Sequence, residues 1–363
     1  MSTLNERVEE ALTRHDVEII RYEAGLVKDA VGDLSMLQAE IVRELKGAEP
    51  KTRRQLDNLL SRLNVAIDTT YAAFAASHVK ALTSFAMVEQ NAVAGIVSKT
   101  TRVPLLPKRF GQGLALEIVE TSRSPNTPQG ATVAERWARQ GQGLKTNISD
   151  GLGYAVDNDK TLDDMLRIVR GNRALQFRDG VVFKSKKGAE TVIRTTQSTV
   201  TNATRQALYE RNSDTVAGQQ AVAVLDNRTT ILCRSRNGYA WRMNGRPFRG
   251  TPMSFPGTPP WHWNCRTSLM PIFKSLEDLQ SVVDPQLNAE LEAFGDRFPI
   301  DGKPAPTPSF AKTFNALSEK EQRQILGRGR LELYQDKKIT LNDLLNQQGR
   351  ELTLTELKNK YGD

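Results

Sequence analysis

Two long amphipathic stretches, separated by a single break at Gly47-Ala48-Glu49-Pro50, set the strongest limit on how this chain can fold. Between residues 3 and 47, Val27, Val31, Leu34, Leu37, Ile41 and Leu45 recur three and four residues apart, which places them on one helix face with charged residues on the others. Past the break the spacing returns in Leu56, Leu59, Leu63, Ile67, Tyr71, Phe74, His78 and Leu82. Pro50 falls near the first turn of this second helix, where its missing N–H costs nothing. Each stripe must be buried, so the two helices pair as a hairpin or coiled coil. Their apolar surface exceeds what a pair alone can cover, and the expectation is a helical arm over residues 1–100 that docks on a partner.

The Ala-rich run at 70–98 is the most apolar part of the chain, but His78, Lys80 and Glu89 interrupt it, so it reads as a packed helix and not a membrane span. The charged N-terminus lacks the apolar core of a secretory signal, and synthesis in the cytoplasm follows as an expectation. Pro104 and Pro107 end the arm, and residues 123–130 read as a loop. Glu135, Trp137 and the stretch up to Tyr154 mix helical and Gly-rich character, with a loop expected across 141–153. A capping pattern at Thr161 and Asp164 opens a short helix, a longer helix covers 194–212 with Val200, Ala203, Ala207 and Leu208 inward, and a strand spans 221–225.

The fold class expected is therefore α+β and predominantly α: the arm, a central mixed α/β domain over 101–300 with a small β corner, and two further pieces. Residues 301–309 form a Pro-rich linker. Residues 310–363 form a small helical unit, with helices around 319–335 and two more capped by Thr340 and Thr353.

Charge divides the chain unevenly. The formal net charge is +8, yet residues 160–274 hold 19 Lys and Arg against 7 Asp and Glu, a balance of +12 that leaves −4 elsewhere. The centre is either a solvated basic domain or a surface facing an anion such as double-stranded DNA. Arginines interleave with aromatic residues at Tyr239, Trp241, Arg242, Arg246, Phe248 and Arg249, and with Arg234 and Arg236 just before them. These five arginines are the candidate DNA contacts; the aromatic residues among them either stack on bases or, as Trp241 and Phe248, fill the core, and Trp261 and Trp263 read as core anchors.

Two blocks carry the densest chemistry: VLDNRTTILCRSRNG at 224–238 and TPPWHWNCRTSLMP at 258–271. Asp226 at a strand end can accept backbone N–H groups or pair with Arg228. Pro259-Pro260 imposes an extended approach that delivers His262 and Cys265 to one place. Cys233 arrives from the other block, so Cys233, His262 and Cys265 either close on zinc or pack as an imidazole and two thiols around the corner. Asp226 or water would complete a four-ligand site. No other cofactor is expected, and two cysteines in 363 residues are too few for a disulfide scaffold.

A strand ending in Asp-x-Arg-Thr, a Cys-Arg, a Gly, and then Pro-Pro-x-His-x-x-Cys-Arg together resemble the Mu F-like phage head morphogenesis family. Arg194-Thr195-Thr196, the Asn202 to Tyr209 stretch with Arg205 between, and the tail from Ile325 are similar to it as well. The resemblance runs from about Arg123 to the C-terminus. It implies a minor head protein in the virion, at the portal vertex, with portal protein and major capsid or scaffolding protein as partners and packaged DNA nearby, aiding packaging or ejection. Many relatives have Cys-x-x-Cys in the first block, and Thr230 stands where the first of those cysteines would fall. Asp226, Arg228, Cys233, His262, Cys265 and Arg266 are expected to form one structural corner.

Other function classes find less support. No GxxxxGK[ST] loop, HExxH or paired acidic cluster occurs, so no ATPase or nuclease is expected. His262 with Cys265 could make an activated thiolate, but no third group is marked to orient the imidazole, and His15 and His78 read as helix-face residues. A non-enzyme is therefore expected. A non-specific DNA-binding protein, or a toxin-like enzyme domain of the kind fused to this family, is the alternative.

Overall fold

The computed structural model describes residues 2–103, 105, 110–121, 130–226, 228–283, 285–306, 314–346 and 351–361. The expected loop at 123–130 lies outside them except for Gly130, as do Pro104 and Pro107.

Helix α1, Leu4–Ala48, and helix α2, Arg53–Thr101, run about 70 Å each at 1.5 Å per residue. Both open on a capping box, Thr3 with Glu6 and Thr52 with Gln55. Pro50 thus stands two residues before the N-cap and not in the first turn, because the Thr52 hydroxyl fixes the start. Leu34, Leu37, Ile41 and Leu45 of α1 and the whole stripe from Leu56 to Leu82 of α2 are buried.

The cover over these stripes comes from the chain itself. After α3, Gln112–Thr121, helix α4, Val133–Asp157, lies along α2. Helix α5, Leu162–Arg170, follows, and α6, Val181–Arg211, packs on α1, α2 and α4. One apolar core runs through all of them, from Ile19 and Leu34 to Trp137, Leu144, Ile193 and Val200. The N-terminal region is long and helical as expected, but the surplus apolar surface that called for an external partner is satisfied by α4 and α6.

The expected loop at 141–153 is instead the middle of α4. Its glycines permit close contact between helices. A Cβ at Gly141 would stand 3.1 Å from the Tyr71 ring, and one at Gly151 would stand 2.6 Å from Ile168. Their cost to helix propensity, about 1 kcal/mol each, is offset by this packing.

Strand β1, Val216–Ala223, begins five residues earlier than the sequence indicated and stops short of Val224. Helix α7, Ile231–Arg236, and strand β2, Ala240–Arg242, follow, then β3, Thr267–Phe273. The sheet order is β2-β1-β3, antiparallel throughout. Gly218 is required in β1, since a Cβ there would stand 2.3 Å from the Trp241 carbonyl oxygen. Pro271 is tolerated because β3 is an edge strand.

Helices α8, Leu276–Gln280, and α9, Pro285–Gly295, complete the central part. The described part of the expected linker, residues 301–306, is docked: Ala305 is buried, its N–H donates to Gln220 Oε1 at 2.9 Å and its carbonyl accepts from Gln220 Nε2 at 2.8 Å. Residues 307–309 lie outside the described residues. The C-terminal unit contains α10, Glu319–Leu326, α11, Arg328–Gln335, a short turn of 3-10 helix at Leu341–Leu344 following Thr340, and α12, Leu354–Tyr361, capped by Thr353. Phe314, Leu331, Leu344 and Leu357 form its core, into which Ile231 of α7 inserts.

Candidate metal centre

The pairing of β1 with β3 builds the site. Ala223 stands opposite Thr267, so the segment leaving β1 and the segment entering β3 are held side by side. On the first, Thr230 caps α7 by accepting the Cys233 N–H, which places Cys233 in the first turn. On the second, Trp261 is buried against Trp241, with its Nε1–H donated to the Gly257 carbonyl. The chain bends at Thr258 and Pro259, where the Pro259–Pro260 peptide is cis, instead of running extended. His262 follows, and the backbone passes through a left-handed Asn264, a conformation that suits Asn, before reaching Cys265.

Three donor atoms converge. Cys233 Sγ lies 3.0 Å from His262 Nε2 and 3.5 Å from Cys265 Sγ, and all three donors fall within 4.8 Å of one another. His262 Nδ1 is 2.8 Å from the Trp263 carbonyl oxygen, which can only accept, so Nδ1 carries the proton and a neutral ring turns its Nε2 lone pair toward the thiols. Burial opposes charge on His262, but hydrogen bonding and the field of Cys265 outweigh it and raise its pKa. Burial works against the Cys265 thiolate, but hydrogen bonding with Cys233 and with the protonated form of His262 more than compensates and lowers its pKa. The neighbouring Cys265 and burial push the Cys233 thiol up.

Both cysteines are only 2 % exposed, a setting poorly suited to an incoming carbonyl substrate. The group orienting His262 is a backbone carbonyl and not a carboxylate. Nucleophilic catalysis is poorly served by this arrangement, whereas metal ligation needs only the three converging donors. A small cleft with room for about one water opens beside Cys233 and His262, lined by Arg228, Thr229, Asn264 and Arg266.

Asp226 belongs to the rim. Its partner is Arg266 and not Arg228: two guanidinium nitrogens of Arg266 lie 2.6 and 2.8 Å from its carboxylate oxygens. Arg228 is exposed and contributes its backbone N–H, at 2.9 Å. The bidentate hydrogen bond from Arg266 holds the Asp226 carboxyl well below its usual range. Asp226 is thereby committed and does not serve as the fourth ligand.

The five candidate DNA arginines separate into two groups. Arg234 and Arg236 are buried; Arg234 donates to the Thr229 and Asp226 carbonyls, and Arg236 lies 4.7 Å over the Trp261 ring. Arg242, Arg246 and Arg249 are exposed, with Arg242 4.7 Å over the Phe248 ring. Trp241 is fully buried and Phe248 half-buried. Trp263 is a correction: it is 38 % exposed at the surface, under the Arg136 guanidinium.

Behind the site lie residues that the sequence marks only through the family resemblance, Thr195, Asn202 and Tyr209, and one that it does not mark, Asn5. Asn202 accepts the Leu269 N–H and donates to the Thr267 carbonyl, and Tyr209 donates to the Leu269 carbonyl, so α6 is pinned to β3. Thr195 accepts the Asn264 N–H, which links the same helix to the turn carrying His262 and Cys265. Asn5 accepts the Phe273 N–H at the far end of β3. Polar residues recurring on the apolar face of a helix were the available signal.

Residues 144–270 match the family model described as Phage Mu protein F like protein, so the chain carries a Mu F-like region. The match takes in the second half of α4, all of α5 and α6, β1, β2 and both sequence blocks up to Met270 within β3, while the C-terminal unit lies beyond it. No curated protein and no solved structure matches the chain.

Proposed function

We propose that this chain, with its Mu F-like region built across the helical core and the sheet, is a phage head morphogenesis protein that ends up in the virion. The observation carrying the reading is the family match over residues 144–270. The residues that gave the resemblance serve architecture: Asn202 and Tyr209 bind α6 to β3, Arg205 binds α6 to Glu89 of α2, and Asp226 with Arg266 holds the rim of the corner. Burial of both thiols and the backbone orientation of His262 favour a non-catalytic role.

The finer assignment is a minor head protein at the portal vertex, contacting portal protein and major capsid or scaffolding protein. Arg242, Arg246 and Arg249, exposed around β2, supply the non-specific phosphate contacts by which it would touch packaged double-stranded DNA. Among the described residues no helix is long and apolar enough to cross a membrane.

Disrupting the gene in a phage that encodes this chain tests the reading. The expected outcome is a collapse in the yield of DNA-filled heads, restored by supplying the wild-type chain in trans. A normal yield of filled, infectious heads from the disrupted phage would contradict it.

A further inference from the structure

Cys233, His262 and Cys265 are delivered from two segments whose separation in sequence is bridged by the β1–β3 pairing, and their donor atoms face one point. A tetrahedral ion with metal–sulfur bonds of about 2.3 Å and a metal–nitrogen bond of about 2.0 Å would set sulfur–sulfur and sulfur–nitrogen separations of roughly 3.8 and 3.5 Å. The distances here, 3.5 and 3.0 Å, need to open by only a few tenths of an ångström. A disulfide, by contrast, would draw the sulfurs together to about 2.05 Å, well inside their present 3.5 Å.

The imidazole is already set for ligation. The Trp263 carbonyl holds the Nδ1 proton and leaves Nε2 as the free donor, the arrangement that fixes tautomer and ring direction in His metal sites. The donor set is soft, and the neighbouring carboxylate of Asp226 is taken by Arg266, so hard cations such as magnesium or calcium find no oxygen ligands here.

We propose that Cys233, His262 and Cys265 bind one divalent ion of the zinc class, with water in the fourth position entering through the cleft beside Arg228, Thr229 and Asn264. Binding releases one proton from each thiol to solvent, and two thiolates neutralise the ion's charge. No change in oxidation state is involved. Thr230 does not fill the fourth corner, because its hydroxyl caps α7. The ion clamps the segment leaving β1 to the segment entering β3, independently of whether the chain serves in a phage head.

The test uses the full chain, purified under reducing conditions, stripped with a chelator and titrated with cobalt(II). The expected result is a thiolate-to-cobalt charge-transfer absorption that saturates at one cobalt per chain and is lost on adding equimolar zinc(II). Zinc should also shield both thiols from a thiol-reactive dye, with reactivity returning after chelation. Cys265→Ser should lose most of the absorption. Because the titration is carried by the wild-type chain, poor folding of that variant leaves the test intact. Absence of the absorption in the reduced wild-type protein, or dye reactivity unchanged by zinc, overturns the proposal. So does a Cys233–Cys265 disulfide found by mass spectrometry in protein isolated and handled without oxygen.

Discussion

The guanidinium of Arg205 lies 2.7 Å from the carboxylate of Glu89, and neither side chain reaches solvent. The second Arg205 arm contacts Asp16 at 2.6 Å, and the second Glu89 oxygen contacts His15 at 2.7 Å. The network therefore joins α1, α2 and α6 through charges that burial alone would disfavour. Burial opposes charge on Glu89, and the field of Arg205 overcomes it and lowers its pKa.

Removing one partner from this network leaves the other as a buried, uncompensated charge. Arg205→Ala should destabilise the protein by about 3–5 kcal/mol, whereas the double change with Glu89→Ala should cost less than the sum of the two single changes. Urea unfolding of the single and double variants checks this. Strict additivity would show that the pair is not coupled.

His78 accepts the Trp137 indole N–H at 3.0 Å through Nδ1, and burial lowers its pKa from 6.5 to about 4. A depressed His pKa means that the fold favours the neutral ring. Its contribution is full above pH 6.5 and is lost as pH falls toward 4, amounting to about 2–3 kcal/mol by pH 4.5. Glu9 and Glu23 act in the opposite direction over part of this window, since burial raises their pKa values to about 7 and about 6. Comparing wild type with His78→Gln cancels that background: between pH 7 and pH 4.5 the wild type should lose more stability than the variant. Parallel pH profiles would refute the assignment.

Deleting residues 2–98 removes α1 and nearly all of α2, half of a core shared with α4 and α6. Leu34, Ile41, Leu56, Leu63 and Ile67 are among the side chains removed, each worth about 1.5–3 kcal/mol of burial. The truncated chain should aggregate or show no cooperative melting. A soluble, cooperatively melting remainder would show that the N-terminal helices are an independent arm after all.

The arginines of the central region should behave as two classes. Replacing Arg242, Arg246 and Arg249 with Ala should leave the melting temperature nearly unchanged and reduce the salt dependence of double-stranded DNA binding, by about 0.9 in log–log slope for each phosphate no longer neutralised. Arg234→Ala should instead lower the melting temperature, because it removes hydrogen bonds to the Thr229 and Asp226 carbonyls. Asp226→Ala, which breaks a half-exposed pair, should cost only about 1–2 kcal/mol. Gel shifts at two salt concentrations, together with thermal melts, separate the classes.

The legible parts of this protein were those that repeat. Spacing alone located both long helices and named Leu56 through Leu82 as a buried stripe, because a helix face recurs every three or four residues. What spacing could not supply was the identity of the surface opposite. By sequence Gly141 and Gly151 read as loop formers, whereas in the fold they make room for Tyr71 and Ile168. By sequence His78 reads as a face residue, whereas in the fold Trp137 and Thr196 enclose it. Arg234 and Arg242 are indistinguishable by composition, and only tertiary placement buries one and exposes the other. Cys233, His262 and Cys265 could be grouped from their motifs, yet their separations depend on the Ala223 to Thr267 pairing, a long-range contact.

The central claim, a role in the phage head, is tested most directly by quantitative mass spectrometry of heads purified from a lysate of a phage encoding this chain. The expected result is the chain in DNA-filled heads, at a few copies relative to the major capsid protein, and still present after a high-salt wash. Its absence from purified heads, with the whole pool in the soluble lysate, would contradict that role.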